Sequence, residues 1–511
     1  MFYFMLLILI IVLYLYGTRT FGYWRKRGVK NDPPMCYIGN NLRQFLQKSS
    51  ITMLATETYR RYPEERVVGF FRSTMPELII RDPEIAKRIL TRDFQHFYAK
   101  GFNTHKIVKE PLMKNLFCAD GDLWKILRKG FSPCFSSGKI KAMFSIITER
   151  AEVLQLQAEE VAKLEFYDIR ELMASFTTDF IGVCGFGINI DCTNNENSEF
   201  RKLGKRIFHR SYRDAIAAAA KYMFPDLFQN VYFLSNEIEQ SMNYLVKTIF
   251  TNRKYKPSGQ NDFVDFLLEL KQKGKLTAES LEYKDKNGLP KMVELELDDI
   301  LMIAQIFVFF GAGFETSSVA ASYTLHQLAF NMDYQKKVQA EIDIILPKYN
   351  NKITYDAINE MTTLEKAFHE AMRMYPPVGF LMRKCTSPTY TIPEIGVTIN
   401  EGVTVIIPVQ AFHMDERYFN EPDKFNPDRF QSISDFKSNV FLPFGSGPRT
   451  CIAARLGKVL VMAGIVAILQ KFTVEPCTLS KPNPEPQPMA TVSENFVDGL
   501  PLKLKKRIYE F

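Results

Sequence analysis

Phe444-Gly-Ser-Gly-Pro-Arg-Thr-Cys451 is the stretch on which the reading of this chain turns. It leads from a glycine-rich turn into the apolar run Ile452 to Leu469, whose spacing predicts a helix, so Cys451 stands at a helix start. A free thiol is a weak thiolate source near neutral pH. A helix N-terminus favours the anion, and iron bound to sulfur would hold it deprotonated. The two glycines let backbone N–H groups turn toward that sulfur, and Arg449 adds a fixed cation suited to a carboxylate. An isolated cysteine after a turn reads as a small buried hydrophobe, so the surroundings decide.

Those surroundings are globular: 511 residues, 46% hydrophobic and 24% charged. The length allows three domains or one large fold. Lysine and arginine total 65 against 57 acids, a net +8 that does not suit a nucleic-acid-coating surface. Eight cysteines are too dilute for a disulfide scaffold, and no Cys-x-x-Cys or His-Glu-x-x-His sets up a zinc site. Gly185-Phe-Gly187 and Gly445-Ser-Gly447 both lack the third glycine of a dinucleotide loop, which argues against a built-in flavin or nicotinamide domain. Helical spacing recurs over 141–165, 168–186, 236–252 and 455–470. Residues 67–71, 77–80 and 403–409 read as strands, and turn-rich breaks fall at 255–262, 284–290, 421–428 and 482–488.

Met1 to Thr18 carry no charge and would make about 27 Å of helix, close to the roughly 30 Å of a bilayer core. Positive charges follow at Arg19, Arg25, Lys26, Arg27 and Lys30, which places the remainder on the cytosolic side. A cleaved signal would want basic residues before the run and a small-residue cleavage site after it. The expectation is therefore a transmembrane anchor at 1–18, a basic, proline-containing linker at 19–34 with Asn31-Asp-Pro-Pro34 as its hinge, and a body at 35–511. Ile300 to Phe314 is also uncharged, but it is shorter than a usual span and ends at Glu315, so a long buried helix is expected there.

Phe444-x-x-Gly447-x-Arg449-x-Cys451 closely resembles the haem-binding signature of the cytochrome P450 monooxygenases, in which the cysteine thiolate is the axial ligand of iron. One position departs: Ala453 stands where the family usually has glycine. Three further motifs match. Ala312-Gly-Phe-Glu-Thr316 resembles the oxygen-activating segment. Gly313 would leave room for dioxygen, the Thr316 hydroxyl would bond back to the helix backbone, and Glu315 with Thr316 would feed protons. Glu370-Ala-Met-Arg373 alone would be a surface ion pair; with Arg429 in Phe425-Asn-Pro-Asp-Arg-Phe430 it resembles the buried network that steadies the cysteine segment. Trp124-Lys-Ile-Leu-Arg128 resembles the propionate-binding helix, with Arg383 a third contact. His413 is a weaker candidate that could equally be packing.

The resemblance implies a single mainly α fold with small β-sheets behind an N-terminal transmembrane helix, holding haem b on Cys451. It implies insertion of one atom of dioxygen into a small apolar substrate, either a xenobiotic or an endogenous lipid or hormone-like compound. Electrons would come from NADPH through a separate NADPH–cytochrome P450 reductase, with cytochrome b5 a second candidate donor. Membrane lipid is an expected partner, in the endoplasmic reticulum, and nucleic acid is not. Tyr23-Trp-Arg-Lys-Arg-Gly28 and Phe135-Ser-Ser-Gly-Lys-Ile-Lys-Ala-Met-Phe144 look most like insect microsomal members. Lys125, Lys129, Lys139, Lys141 and Lys458 are candidates to meet an acidic reductase face. Substrate contacts are expected around Phe102 to Phe117, in 205–232, Phe307 to Thr316, Val378 to Leu381 and Thr491 to Gly499. A haem-thiolate sensor or a peroxide isomerase would have less use for the Glu315 and Thr316 pair.

Overall fold

The computed structural model describes residues 1–102, 108–188, 199–208, 211–431, 439–490 and 492–508. Cys192, Thr491 and parts of the expected substrate segments (residues 103–107, 209 and 210) lie outside these.

The chain is mainly helical with small sheets, built around one long helix, Asp299–Phe330. Asp298 caps it by accepting the Leu301 N–H at 2.7 Å. Its composition would let it cross a membrane, yet two-thirds of its apolar window is buried inside the protein, because other helices cover it. Chief among them is Ile169–Phe186, with the helix Ala454–Lys471 behind the cysteine on another side. Glycines sit at two close approaches to Ile169–Phe186, Gly464 from the helix Ala454–Lys471 and Gly313 from the long helix. A Cβ on Gly464 would lie 2.7 Å from Met173 Cε, and one on Gly313 would lie 2.3 Å from Ile181 Cδ1. Gly313 therefore serves helix packing, which corrects the expectation that its missing side chain makes room for dioxygen.

A four-stranded sheet runs Val67–Arg72, Met75–Ile80, Thr404–Ile407, Leu381–Lys384. Its third strand is parallel to the second (Leu78 beside Val405) and antiparallel to the fourth (Arg383 beside Val405). Aliphatic residues on its inner positions form a second core with Trp24, Phe71 and Phe97. The linker expected at 19–34 is in fact docked on this sheet. Trp24 is fully buried over Gly69 and donates its indole N–H to the Phe70 carbonyl at 3.1 Å, while Arg27 reaches the Thr398 carbonyl at 2.8 Å. The indole covers apolar area that a free spacer would leave in water. The break expected at 284–290 is the turn of a hairpin, Leu276–Lys284 with Pro290–Leu295, which lies against the helix Gly121–Phe131. Its strands are mostly exposed and polar, so no apolar alternation announced them.

The helix Phe2–Thr18 stands out from this body, with all of its large apolar side chains exposed. Only its C-terminal end is held: Tyr37 donates to the Leu13 carbonyl at 2.6 Å and packs close to Gly17.

Candidate haem-thiolate site

The cysteine loop closes on itself. Cys451 donates its N–H to the Phe444 carbonyl at 2.9 Å, Thr450 to Gly447 at 2.9 Å and Gly445 to Leu442 at 3.0 Å. Gly445 and Gly447 both adopt positive φ, 73° and 74°. Gly447 is doubly constrained, since a Cβ there would fall 1.9 Å from the Leu90 carbonyl oxygen. Phe444 packs on Phe368, ring centroids 6.5 Å apart. The following helix begins at Ala454, so Cys451 precedes it by three residues and Ala453 occupies the cap. Burial holds the Cys451 thiol above its ordinary range, while the Ala453 N–H and the Arg128 and Lys100 cations favour the anion. The sulfur nonetheless belongs to an exposed residue, so it faces open space within walls that desolvate it.

Behind the loop lies the Glu370 network. Arg373 grips Glu370 with two bonds, 2.8 and 2.9 Å, both side chains being fully buried. Arg429 Nε and the Asn426 N–H reach the same carboxylate at 3.0 and 2.9 Å. Arg373 also donates to the carbonyls of His413 at 2.8 Å and Pro422 at 2.7 Å. The structure thus brings Glu370, Arg373 and Arg429 together as a buried unit. It extends further than the sequence indicated. His413 Nε2 accepts the Leu442 N–H at 2.9 Å, so Nδ1 must carry the proton toward the Arg373 carbonyl, 3.1 Å away. His413 is a strut between the network and the cysteine loop, not a member of the cationic cluster described next. Burial, with the Arg373 charge, pushes its pKa down to about 3 and keeps it neutral.

That cluster occupies the edge of the four-stranded sheet. Arg449 donates to the carbonyls of Tyr98 at 2.6 Å and Ala119 at 2.8 Å, touches Asp120 at 3.1 Å, and stacks 4.4 Å from the Trp124 ring. Among the described residues the Arg383 guanidinium bonds only the Met382 carbonyl, at 2.7 Å. Lys100 joins them. Burial and the neighbouring Arg449 and Arg383 charges lower its pKa well below the usual lysine range; burial and Arg449 push Arg383 down to about 9, and burial pushes Arg449 down to about 10. Arg383 Nε and Arg449 Nη1 are buried without a partner among the described residues. Three crowded cations and two orphaned N–H groups, with Asp120 the one acid bonded to them among the described residues, have the chemistry to suit a group carrying carboxylates. Arg128 stands apart, donating to the Thr450 carbonyl at 2.9 Å beside Cys451. Lys100 and Asp120 lie in loops that carry no pattern of their own, which is why sequence reasoning passed over them.

On the long helix the Thr316 hydroxyl donates to the Ala312 carbonyl at 2.7 Å, beside the exposed Ala312. Glu315 points elsewhere, since successive helical residues face about 100° apart. It is buried in an ion pair with Arg170 at 2.7 Å, and that pairing raises the arginine's pKa against the cost of burial. Among the candidate docking lysines, Lys125 approaches Glu279 at 3.8 Å, Lys141 binds Asp356 at 2.9 Å and Lys458 binds Glu365 at 2.8 Å, while Lys129 and Lys139 are exposed.

A sulfur at the head of a buried helix, a braced loop and a carboxylate-binding cluster define a thiolate-ligated prosthetic-group protein, and the chain belongs to the cytochrome P450 family, matching it over residues 31–496. It is a monooxygenase-family oxidoreductase, and insect proteins are among its relatives. It is 37% identical to cytochrome P450 6B7 of Helicoverpa armigera over 486 residues, 94% of each chain. It is 33% identical to cytochrome P450 6a2 of Drosophila melanogaster, over 96% of this chain and 97% of the other. With cytochrome P450 6k1 of Blattella germanica the identity is 32%, over 98% and 95%. The residues present fit the family's thiolate-ligated haem: one sulfur donor, and unpaired buried N–H groups for its propionates.

Proposed function

We propose that the chain is a membrane-bound monooxygenase that puts one atom of dioxygen into a small apolar substrate, xenobiotic or endogenous lipid-like, using NADPH electrons delivered by a separate reductase, with cytochrome b5 as a second donor. The observation that carries this reading is the Thr316 hydroxyl turned back to the carbonyl of the exposed Ala312, which puts a polar group on an accessible stretch of the long helix. Haem, when bound, supplies the dioxygen chemistry. Cys451 would hold its iron, and Arg449, Arg383, Lys100 and Trp124 its carboxylates. Arg128 steadies the cysteine loop. Thr316 holds a proton at its hydroxyl for the oxygen side, whereas Glu315, one residue away and turned to Arg170, would have to leave that ion pair to carry a proton to it. Glu370, Arg373, Arg429 and His413 set the loop's position, with Phe444 and Gly447 shaping it.

The apolar substrate class is supported by the aromatic pair Phe102 and Phe117, 5.2 Å apart between ring centroids, at the two ends of the expected substrate segment. The membrane reading is supported by an apolar surface continuous with the exposed Phe2–Thr18 helix. Tyr37 links that helix to Phe224, 5.7 Å between rings, in the segment where Tyr212, Ile216 and Leu227 are exposed. Such a surface suits the endoplasmic reticulum, with the body in the cytosol.

The test is the ferrous carbon-monoxide spectrum of the purified chain, followed by turnover with reductase, NADPH and isotopically labelled dioxygen in lipid vesicles. A red-shifted thiolate band and one labelled oxygen atom per product are expected. An unshifted band, or product formed only from a peroxide and none with NADPH, reductase and dioxygen, would defeat the proposal.

A further inference from the structure

Glu494 is a half-buried acid within the expected substrate segment Thr491 to Gly499, and no chemical role has fallen to it so far. Its backbone is pinned on both sides: its N–H donates to the Pro377 carbonyl at 2.8 Å, and its carbonyl accepts the Tyr323 hydroxyl at 2.9 Å. The direction of the side chain is therefore set by the fold. One carboxyl oxygen accepts the Thr52 hydroxyl, and the other, on a side chain that keeps accessible surface, accepts no bond from the described residues. The surroundings are apolar and aromatic, with Phe496 4.9 Å from Tyr323 and 5.5 Å from Tyr375 between ring centroids. Burial raises the acid to about 7, opposed only by the Thr52 hydroxyl and by no cation. Yet Glu494 keeps accessible surface, the same combination of openness and desolvation seen at Cys451.

Its location ties it to the cysteine. Pro377 begins the segment that ends at Leu381, and Leu381 Cδ2 lies 3.7 Å from the Cβ position of Gly445 in the cysteine loop. Four residues of chain span at most about 14 Å, the length of a small organic molecule.

Resting on the monooxygenase reading, we propose that the Glu494 carboxyl is a polar anchor in the substrate chamber, pairing with the protonated amine at one end of an otherwise apolar substrate whose other end reaches the groove at Ala312 and Thr316. An unpaired carboxylate in low dielectric gains far more from a ligand cation than from a neutral group, which leaves it unsatisfied.

The probes are N,N-dimethyl-4-phenylbutylamine and its carbon isostere (5-methylhexyl)benzene, titrated calorimetrically into the full-chain holoenzyme in lipid vesicles, wild type and Glu494→Gln. The wild type is expected to bind the amine at least tenfold tighter. Glu494→Gln should weaken the amine about tenfold and leave the isostere within twofold. Equal affinities in the wild type, an unchanged amine affinity in the variant, or a parallel loss of both probes would overturn the proposal. So would a Soret band red-shifted by nitrogen ligation in the amine complex. Should the variant fail to take up haem, the wild-type comparison decides. A wild type without the thiolate band would sink the monooxygenase reading itself, whereas a normal band without amine preference sinks the Glu494 proposal alone.

Discussion

The two faces of the site are built in opposite ways. On the cysteine side nearly every polar group is spoken for: Glu370 accepts from Arg373, Arg429 and Asn426, and His413 carries that frame to Leu442, two residues before Phe444. On the groove side Thr316 makes a single local bond, and its neighbour Ala312 is exposed. The thiolate face spends its polar groups on holding one geometry. The groove face keeps a hydroxyl where a proton is wanted. Damage to the first should therefore cost the assembled protein, and damage to the second should cost only its chemistry.

The largest effect belongs to Cys451. Cys451→Ala should abolish the red-shifted carbon-monoxide band completely, with helical content retained, because nothing else in the loop supplies a soft donor. Next come Glu370→Ala and Arg373→Ala. Glu370→Ala leaves the fully buried Arg373 charge without its acid, and Arg373→Ala leaves the fully buried Glu370 with Arg429 as its one remaining cation, a loss of up to about 3–5 kcal/mol against the roughly 5–15 kcal/mol that holds a domain. Protein without haem is the expected product, and normal haem content in either would break the contrast between the faces.

His413 gives a graded version of the same test. His413→Leu strands the buried Leu442 N–H at a cost of about 1–3 kcal/mol and should shift a measurable share of the protein to the thiolate-lost form, with His413→Gln restoring part of it. The sign with pH follows from its depressed pKa. The unfolded histidine takes a proton below about 6.5 while the folded one waits until about 3, so its contribution is complete above 6.5 and falls away as pH drops between those values. The slope is at most about 1.4 kcal/mol per pH unit. Thermal melts of wild type and His413→Gln between pH 7 and 4.5 should converge; parallel curves would remove the strut from the argument.

How much of this was legible beforehand divides along the same line. The cysteine loop, the Glu370–Arg373 pair and the long helix were readable because each rests on local spacing; Trp124 stacks on Arg449, whereas Arg128, one turn along the same helix, reaches Thr450. His413, Lys100 and Arg170 were not, since what each does depends on a chain segment 29, 349 or 145 residues away. Gly313 shows the converse. Its motif was recognised, but its open side faces Ile181, because helix packing claimed the missing side chain. Trp24 likewise read as part of a spacer until the sheet supplied a surface for it to cover.

Thr316→Ala probes the groove face. The hydroxyl bonds only within its own helix, so stability and the carbon-monoxide band should remain normal. The share of NADPH electrons lost as peroxide should rise several-fold; unchanged coupling would mean that the groove face also serves shape alone.

The smallest effect lies outside both faces, on the lysines near the cysteine helix. Lys141 and Lys458 already neutralise Asp356 and Glu365, so Lys141→Glu or Lys458→Glu would create a repelling pair at home as well as at a partner. Lys129 and Lys139 are exposed and reversal there changes only the surface seen from outside. Charge reversal at Lys129 and Lys139 together should slow reductase-driven turnover a few-fold at low salt, by lowering the association rate, and the difference should vanish at high ionic strength. Peroxide-driven turnover of the same variant should be unchanged, since it bypasses the partner. Equal slowing under both drives would place these lysines among the residues that shape the cysteine side and would erase the distinction between that side and the docking surface over it.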